Sequence, residues 1–373
     1  MISTKNPLFR AAVALLLCVP VCVPAARSAA AEPAAADSAA AASSAPAPAP
    51  AQAPAGPVSV MQLRAHLYMF TVEGLNIAVE SGPEGVIVVD TGPAQDAQAV
   101  LSQIRRITGE PIRYVIDTSA DPQFTGGNGA LSDAGLSLEV GWAPLLQAAN
   151  HERSIPALDS RRAPIIARLG VIEQMTSGPQ SDAGNGYSLG ESLPTDTFTR
   201  PEFNFDVNEP IQVVSMPPAH SQSDSVVLFR YANVVVTGAI FDNTHFPVID
   251  LAHGGSIEGE LAAVNQVLNT LVVGAFPVVT NDGGTWIIPE RGPVADQVDL
   301  VTYRDMLSAI RDRVQALIDQ GRSLSQVQAA DPAQGYETRW GSSSGSWTTR
   351  DFVEAVYRSL AAEKRMRAHG RRG

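Results

Sequence analysis

The residues best suited to chemistry are a histidine and a carboxylate that stand in separate motifs. His220 lies in the segment PPAHSQSD, and Asp121 lies in VIDTSADPQF, just after a predicted strand. An imidazole and a carboxylate can exchange protons with a substrate or hold a metal ion. A zinc site ordinarily needs three or four converging donors. Asp242, His245 and His253 follow His220 in the chain, so they are further candidate ligands for a mononuclear metal site.

Other common catalytic patterns are missing from the sequence. It contains no G-x-S-x-G elbow, no Walker phosphate loop and no H-E-x-x-H motif. The run TGGNG lacks the G-x-G-x-x-G spacing of a dinucleotide site. Cys18 and Cys22 are the only cysteines, and both lie in an N-terminal apolar run. Once that run is removed, disulfides and cysteine-based zinc sites are excluded.

The segments that must position these residues alternate between short apolar strands and helices. The first half predicts the strands LYMFTV, LNIAVES, GVIVVDTG and IRYVIDT, with a helix from Ala94 to Thr108. After a predicted loop over Ser177–Thr199, the second half predicts the strands IQVVSM, SVVLFRY, NVVVTGAIF and TWIIP, with a helix over Ser256–Leu271. Helical spacing resumes after Pro293 and again from Thr349. This order predicts two packed sheets with helices outside.

Five motifs in a fixed order resemble those of the metallo-β-lactamase superfamily of hydrolases. They are VIVVDTG, VIDTSADPQFTGGN, PPAHSQSD, VVVTGAIFD and IIPERGPVADQVDLVTYRDM, and the match runs from about Leu63 to beyond Met306. The C-terminal segment RWGSSSGSWTTRDFVEAVYRSL is similar to a helical extension in an exported branch of that family. The resemblance implies an α+β fold, a four-layer αββα sandwich with a C-terminal helical extension and a cleft between the sheet edges.

The same resemblance assigns zinc ligands to particular positions. Family members use a His-x-His-x-Asp-His cluster, a later His, an Asp and a final His, and the bound zinc lowers the pKa of a water to about 7 to supply hydroxide. The ligand-equivalent positions of this chain are Ser119, Asp121, Gln123, Phe124, His220, Ala239 and Arg291. Among them only His220 keeps the family residue. Asp90 is not one of these positions, but it matches the family motif in which it lies.

These replacements predict a metal-free family member, a pseudoenzyme with a vestigial ligand pocket, no assigned catalytic residue and no cofactor. The alternative is an active metallo-hydrolase of the lactam- or ester-cleaving kind, with one zinc ion held by Asp121 and His220. A third possibility is metal-free hydrolysis with either residue as general base. Because an uncompensated buried carboxylate is costly, we expect Arg291 to pair with Asp90, with Asp121 or with both.

The N-terminal residues predict export. Lys5 and Arg10 precede an apolar run and small residues typical of a secretory signal peptide, which we place at 1–31. An Ala/Pro-rich flexible linker follows at 32–57, and the metallo-β-lactamase-like domain occupies 58–373, with its C-terminal helices from about 294. The apolar run is too short for a confident membrane span, so we expect a periplasmic or extracellular protein with no stable span after cleavage.

The charge of the chain bears on its partners. The formal net charge is -12, which argues against nucleic-acid binding. A basic run from Lys364 to Arg372 is the exception, and it is either a solvated helix end or a contact for anionic lipid or envelope polymer. The sequence therefore leaves the partner open between a small-molecule ligand and a component of the cell envelope.

Overall fold

The computed structural model describes residues 57–137, 162–177, 189–272 and 284–370, with the backbone alone at 368–370. The predicted signal peptide and all but the last residue of the predicted linker lie outside these ranges. Residues 178–188 of the predicted loop lie outside them as well. Within the described ranges, no helix combines the length and the apolar character that crossing a bilayer requires.

The strands of the described residues form two sheets. They are β1 (Ser59–Gln62), β2 (Leu67–Val72), β3 (Leu75–Gly82), β4 (Gly85–Val89), β5 (Ile112–Asp117), β6 (Ile165–Arg168), β7 (Asp196–Phe198), β8 (Glu202–Val207), β9 (Glu209–Ser215), β10 (Ser225–Phe229), β11 (Val234–Val236) and β12 (Trp286–Ile288). The first sheet has the order β1-β2-β3-β4-β5-β6-β7, antiparallel as far as β4 and parallel beyond it. The second has the order β12-β11-β10-β9-β8 and is antiparallel except for the β11–β12 pair.

Helices connect the strands and extend the C-terminus. They are α1 (Ala97–Ile107), α2 (Pro122–Thr125), α3 (Asn128–Asp133), α4 (Leu169–Ser177), α5 (Leu189–Ser192), α6 (Ile257–Gln266), α7 (Gln297–Asp319), α8 (Leu324–Ala329), α9 (Glu337–Trp340) and α10 (Thr349–Gly370). Short 3₁₀ turns occupy Ala94–Asp96, Gly238–Ile240 and Leu251–His253, and one π turn follows α6 at Val267–Leu271.

Alternation along the strands places the two sheets face to face. In β4, Val86 and Val88 pack in the cluster that includes α1, whereas Ile87 and Val89 pack against Val227 of the second sheet. Successive side chains of a strand point to opposite faces, so a strand that is apolar throughout is buried on both faces. The first sheet therefore lies between an outer helical layer and the second sheet.

The far face of the second sheet is covered by the remaining helices. Val226 of β10 shares one cluster with Val264 of α6, Leu307 of α7 and Val356 of α10. The rings of Phe246 and Phe352 stack with centroids 4.7 Å apart, which fixes α10 to the domain. The predicted αββα sandwich with a C-terminal helical extension is confirmed, and the extension shares the core of the outer layer.

Some elements differ from the sequence-based expectation. The predicted loop over Ser177–Thr199 contains the helix α5 and the edge strand β7. The strands β1 and β6 were not predicted, because each has only four residues and too few alternating positions to mark a period. The strand β8 was also missed, although its exposed and partly buried residues alternate.

Candidate functional site

The ligand-equivalent positions lie in turns and short helices that follow strands. Ser119 to Phe124 follow β5, and His220 lies between β9 and β10. Ala239 lies in the 3₁₀ turn after β11, and Arg291 follows β12. A bridge between Leu75 and Arg291 joins the last of these turns to the first sheet. The fold therefore brings chain segments far apart in sequence to one edge of the sandwich.

Asp121 and His220 contact each other directly. The Nε2 atom of His220 lies 3.0 Å from Oδ2 of Asp121, while Nδ1 lies 2.9 Å from the carbonyl oxygen of Val248. A carbonyl oxygen only accepts, so Nδ1 carries a hydrogen. The Asp121 carboxylate faces the other ring nitrogen as an ion-pair partner. An oxygen acceptor beside each ring nitrogen favours the protonated form of His220.

The charge of His220 depends on two carboxylates. Burial lowers the pKa of His220, but Asp121 and Asp224 outweigh that effect and raise it to about 10. Asp224 accepts hydrogen bonds from the backbone and hydroxyl of Ser221, at 2.8 and 2.9 Å. Burial raises the pKa of Asp224 to about 6, although His220 and Ser221 oppose the shift. His220 thus contacts the partly exposed Asp121 and interacts electrostatically with the buried Asp224.

Arg291 lies in a second cluster of polar residues. Its guanidinium donates to Oε1 of Gln123 and to the backbone oxygen of Glu73, each at 3.2 Å. Its Nε atom lies 3.5 Å from the carboxylate of Glu290 and 3.9 Å from that of Asp242. Gln123 completes the cluster by donating to Glu290 at 3.2 Å.

The expectation that Arg291 pairs with Asp90 or Asp121 is wrong. Asp90 is buried and accepts three contacts of 2.8 to 2.9 Å from the backbone and hydroxyl of Thr118. Burial raises the pKa of Asp90 to about 7, and Thr118 opposes the shift. Asp121 forms an ion pair with His220. Local partners therefore compensate both carboxylates, and Arg291 serves the acidic residues beside its own turn.

The other ligand-equivalent positions carry no imidazole or carboxylate. Phe124 and Ala239 are buried and present only carbon atoms. Ser119 is fully buried, and its hydroxyl has no hydrogen-bond partner among the described residues. A neutral hydroxyl is a poor substitute for the donors that zinc prefers.

The histidines considered for a rebuilt metal site are engaged elsewhere. His245 pairs with Asp242 at 3.4 Å, and His253 pairs with Asp250 at 2.5 Å. Over the ranges that the structure describes, no three histidine, cysteine or acidic side chains are grouped so that they could hold a metal ion. The residues present therefore do not fit the zinc centre that the family resemblance implies.

Two buried acidic residues near the cleft, Glu260 and Glu290, were missed by sequence reasoning. Glu260 of α6 is fully buried, and its carboxyl oxygens have no hydrogen-bond partner among the described side chains. Burial, then Asp224, raises its pKa well above the ordinary value. Tyr303 of α7 is likewise buried, with an elevated pKa caused first by burial and next by Glu260. Only Glu290 had a sequence signal, an acidic residue beside Arg291 in IIPERG.

The family model described as the metallo-beta-lactamase superfamily matches residues 73–272, more than half of the chain. The chain belongs to the metallo-beta-lactamase superfamily. No curated protein matches it. The matched range includes six of the ligand-equivalent positions, all but Arg291.

Solved structures of the superfamily share the fold at low identity. The inverting sec-alkylsulfatase Pisa1 from Pseudomonas sp. is 15% identical with a TM-score of 0.56, over 81% of this chain and 50% of that one. The chain thus spans half the length of that sulfatase. A metallo-beta-lactamase from Pontibacter korlensis is 14% identical with a TM-score of 0.46, over 67% of this chain and 99% of that one.

A cavity opens beside the Asp121–His220 pair. Its volume is about 480 Å³, within the range that small-molecule sites occupy. It is lined by the segment Val248–Leu251 and by residues of the C-terminal extension between Ser346 and Arg358. The superfamily cleft is therefore bounded here by α10 and the turn that precedes it.

Removing the Arg291 guanidinium should destabilise the fold in a pH-dependent way. Burial and Asp242 raise the pKa of Glu290, and Arg291 opposes them. A buried carboxyl with a raised pKa destabilises the fold once the pH is high enough to ionise it. Arg291 reduces that cost, so Arg291→Ala should destabilise the fold most at high pH. We expect Arg291→Ala to cost about 2 kcal/mol at pH 8, discounted for partial exposure, and less at pH 5.

Urea unfolding at the two pH values measures this effect. Arg304→Ala is the matched control, because Arg304 pairs with the exposed neighbour Asp305 outside the cleft. The control should lose little stability at either pH. An equal loss for Arg291→Ala at pH 5 and pH 8 would contradict the assigned ion pairs.

Proposed function

We propose that this protein is a metal-free, non-catalytic member of the metallo-beta-lactamase superfamily that binds a small molecule in its cleft. The observation that carries the proposal is the state of the ligand-equivalent positions. His220 is the sole imidazole among them, and both of its ring nitrogens face oxygen acceptors. Among the other positions only Asp121 offers a donor of a kind that zinc prefers.

The charges around the cleft support the same proposal. Asp121, Asp224, Asp242 and Glu290 surround it, and a divalent cation would ordinarily compensate such a group. In this chain His220 and Arg291 supply unit positive charges instead. A guanidinium cannot be deprotonated near neutral pH, so it would repel a metal ion placed beside it.

The alternative is an active hydrolase with one zinc ion between Asp121 and His220. One observation favours it, since a hydrogen bond from Nδ1 to a backbone carbonyl also orients metal-ligating histidines. Two donors fall short of the three or four that zinc ordinarily takes. This alternative predicts one metal ion per chain and activity that is lost with His220.

Calorimetric titration of the metal-stripped protein with zinc distinguishes the two proposals. We expect no saturable binding that depends on His220, and therefore the same trace for the wild type and His220→Ala. His253→Ala is the matched control, because it removes the partly exposed Asp250–His253 pair. Binding of one equivalent that disappears in His220→Ala and persists in His253→Ala would contradict the metal-free proposal.

We also propose that the mature protein acts outside the cytoplasm. The basic residues Lys5 and Arg10, the apolar run after them and the cysteine-free remainder of the chain support export. We expect N-terminal sequencing of protein from the periplasmic or culture fraction to begin near residue 32. Recovery of the full chain with Met1 in the cytosolic fraction alone would contradict export.

A further inference from the structure

A second cavity lies within the C-terminal extension. Its volume is about 870 Å³, and it is lined by α8, by α9, by the serine-rich segment after α9 and by the start of α10. It shares no lining residue with the cavity beside His220. The first turns of α10 separate the two cavities, because Arg350 and Val353 line this one whereas Asp351 and Glu354 line the other.

Hydrogen bonds hold the walls of this second cavity in place. The backbone N–H of Ser342 donates to Oγ1 of Thr349 at 3.1 Å, and the backbone N–H of Thr349 donates to the Ser342 oxygen at 2.8 Å. The guanidinium of Arg313 in α7 donates to the backbone oxygens of Pro332 and Gln334, each at 2.9 Å. Walls fixed in this way lower the entropic cost of binding a ligand.

Three charged side chains line the second cavity, and both signs of charge are present. They are Asp331 before α9, Glu337 in α9 and Arg350 in α10. Within the described part of the chain, none of these three side chains forms an ion pair or a hydrogen bond. Arg350 acts on its chain neighbour Asp351 only through its charge, because Thr348 donates the hydrogen bonds of that carboxylate. The cavity therefore presents a guanidinium and two carboxylates that can still take partners.

The charged groups match a ligand that carries both signs of charge. A guanidinium binds a carboxylate through two parallel hydrogen bonds, and a carboxylate binds an ammonium group through charge-assisted ones. The remaining lining is apolar at Ala329, Pro332 and Val353, and it is polar at Gln328 and at the hydroxyls of the serine-rich segment. Small apolar side chains fit the first part, and peptide N–H and C=O groups can bond to the second.

We propose that the second cavity binds a short zwitterionic peptide with small apolar side chains. The terminal ammonium group faces Asp331 and Glu337, the terminal carboxylate faces Arg350, and the side chains lie against Pro332 and Val353. A cavity of about 870 Å³ accommodates such a peptide. The inference goes beyond the proposed function and does not depend on it, since the cleft includes none of these residues.

Alanylalanine is a suitable probe, because it is a zwitterion with two methyl side chains. N-acetylalanylalanine lacks the ammonium group, and alanylalaninamide lacks the carboxylate. In calorimetric titrations of the full mature chain at low ionic strength, we expect alanylalanine to bind with a Kd roughly fivefold lower than either derivative. Equal affinities for the three compounds, or no saturable binding of alanylalanine, would overturn the inference.

The variant Arg350→Gln tests the carboxylate end of the site. We expect it to weaken alanylalanine binding roughly fivefold and to leave alanylalaninamide binding unchanged, because the amide has no carboxylate for the guanidinium to bind. Arg367→Gln is the matched control, since Arg367 lies on the same helix and lines neither cavity. An equal loss for both compounds in Arg350→Gln, or equal effects of the two variants, would contradict the assigned role of Arg350.

The variant Asp331→Asn tests the ammonium end. Asp331 has a left-handed φ of 51°, which asparagine also tolerates, so the substitution keeps the turn and removes the charge. We expect alanylalanine binding to weaken roughly threefold and N-acetylalanylalanine binding to stay unchanged. Asp305→Asn, which removes an exposed carboxylate of α7 outside the cavity, should change neither. An equal loss for both compounds in Asp331→Asn would overturn this placement of the ammonium group.

Discussion

Replacing His220 with glutamine is expected to lower the free energy of unfolding by about 3 kcal/mol at pH 6.5, with a smaller loss near pH 10. The substitution leaves the buried Asp224 and the Asp121 carboxylate without their shared cation. The pKa of His220 is raised from the ordinary 6.5 to about 10. Its contribution to stability is therefore complete below pH 6.5 and is lost as pH rises through about 10.

Urea unfolding at pH 6.5, 8 and 10 measures this difference between the wild type and His220→Gln. His245→Gln is the control, since the His245 side chain is half exposed and pairs with Asp242 outside the His220 contacts. The control should change stability little at any of the three pH values. A loss in His220→Gln that stays constant from pH 6.5 to pH 10 would show that His220 does not act as a buried cation.

Replacing Gly259 with alanine is expected to destabilise the protein by about 3 kcal/mol. Gly259 lies in the first turn of α6, and a Cβ there would lie 1.5 Å from the backbone oxygen of Pro218. That oxygen is backbone, so no side-chain rotation relieves the clash. Because Pro218 lies two residues before His220, the helix must move or the segment that carries the imidazolium must shift.

Gly190→Ala provides the matched control for this substitution. Gly190 is also helical, but a Cβ there has no neighbour within 4 Å. We expect this variant to be unchanged or slightly more stable, because alanine restricts the unfolded chain. Thermal unfolding of the two variants measures the difference, and equal midpoints would contradict the close packing of α6 against the Pro218–His220 segment.

The fold was largely predictable because both sheets contain strands that are buried on both faces. Strands such as GVIVV and NVVV are continuous apolar runs, which indicates burial on both faces, and the motif order then indicated the sandwich. The short strands β1 and β6 were not predictable, since pairing with neighbours in space defines them more than any local pattern does.

The candidate site was predictable in position but not in pairing. The resemblance placed the ligand-equivalent positions in turns and short helices that the fold does bring to one edge of the sandwich. It gave no side-chain directions, so Arg291 was expected at Asp90 or Asp121, whereas the neighbouring Glu290 and Gln123 bind it. Glu260 was also missed, because an acidic residue in an amphipathic helix gives no sign of burial beside the cleft.

The metal content of the purified protein tests the central claim most directly. The protein should be produced in zinc-supplemented medium, purified without chelators and analysed by inductively coupled plasma mass spectrometry. The metal-free account predicts zinc well below one equivalent per chain, at the same level in the wild type and in His220→Ala. One equivalent of zinc in the wild type that is lost in His220→Ala would contradict it.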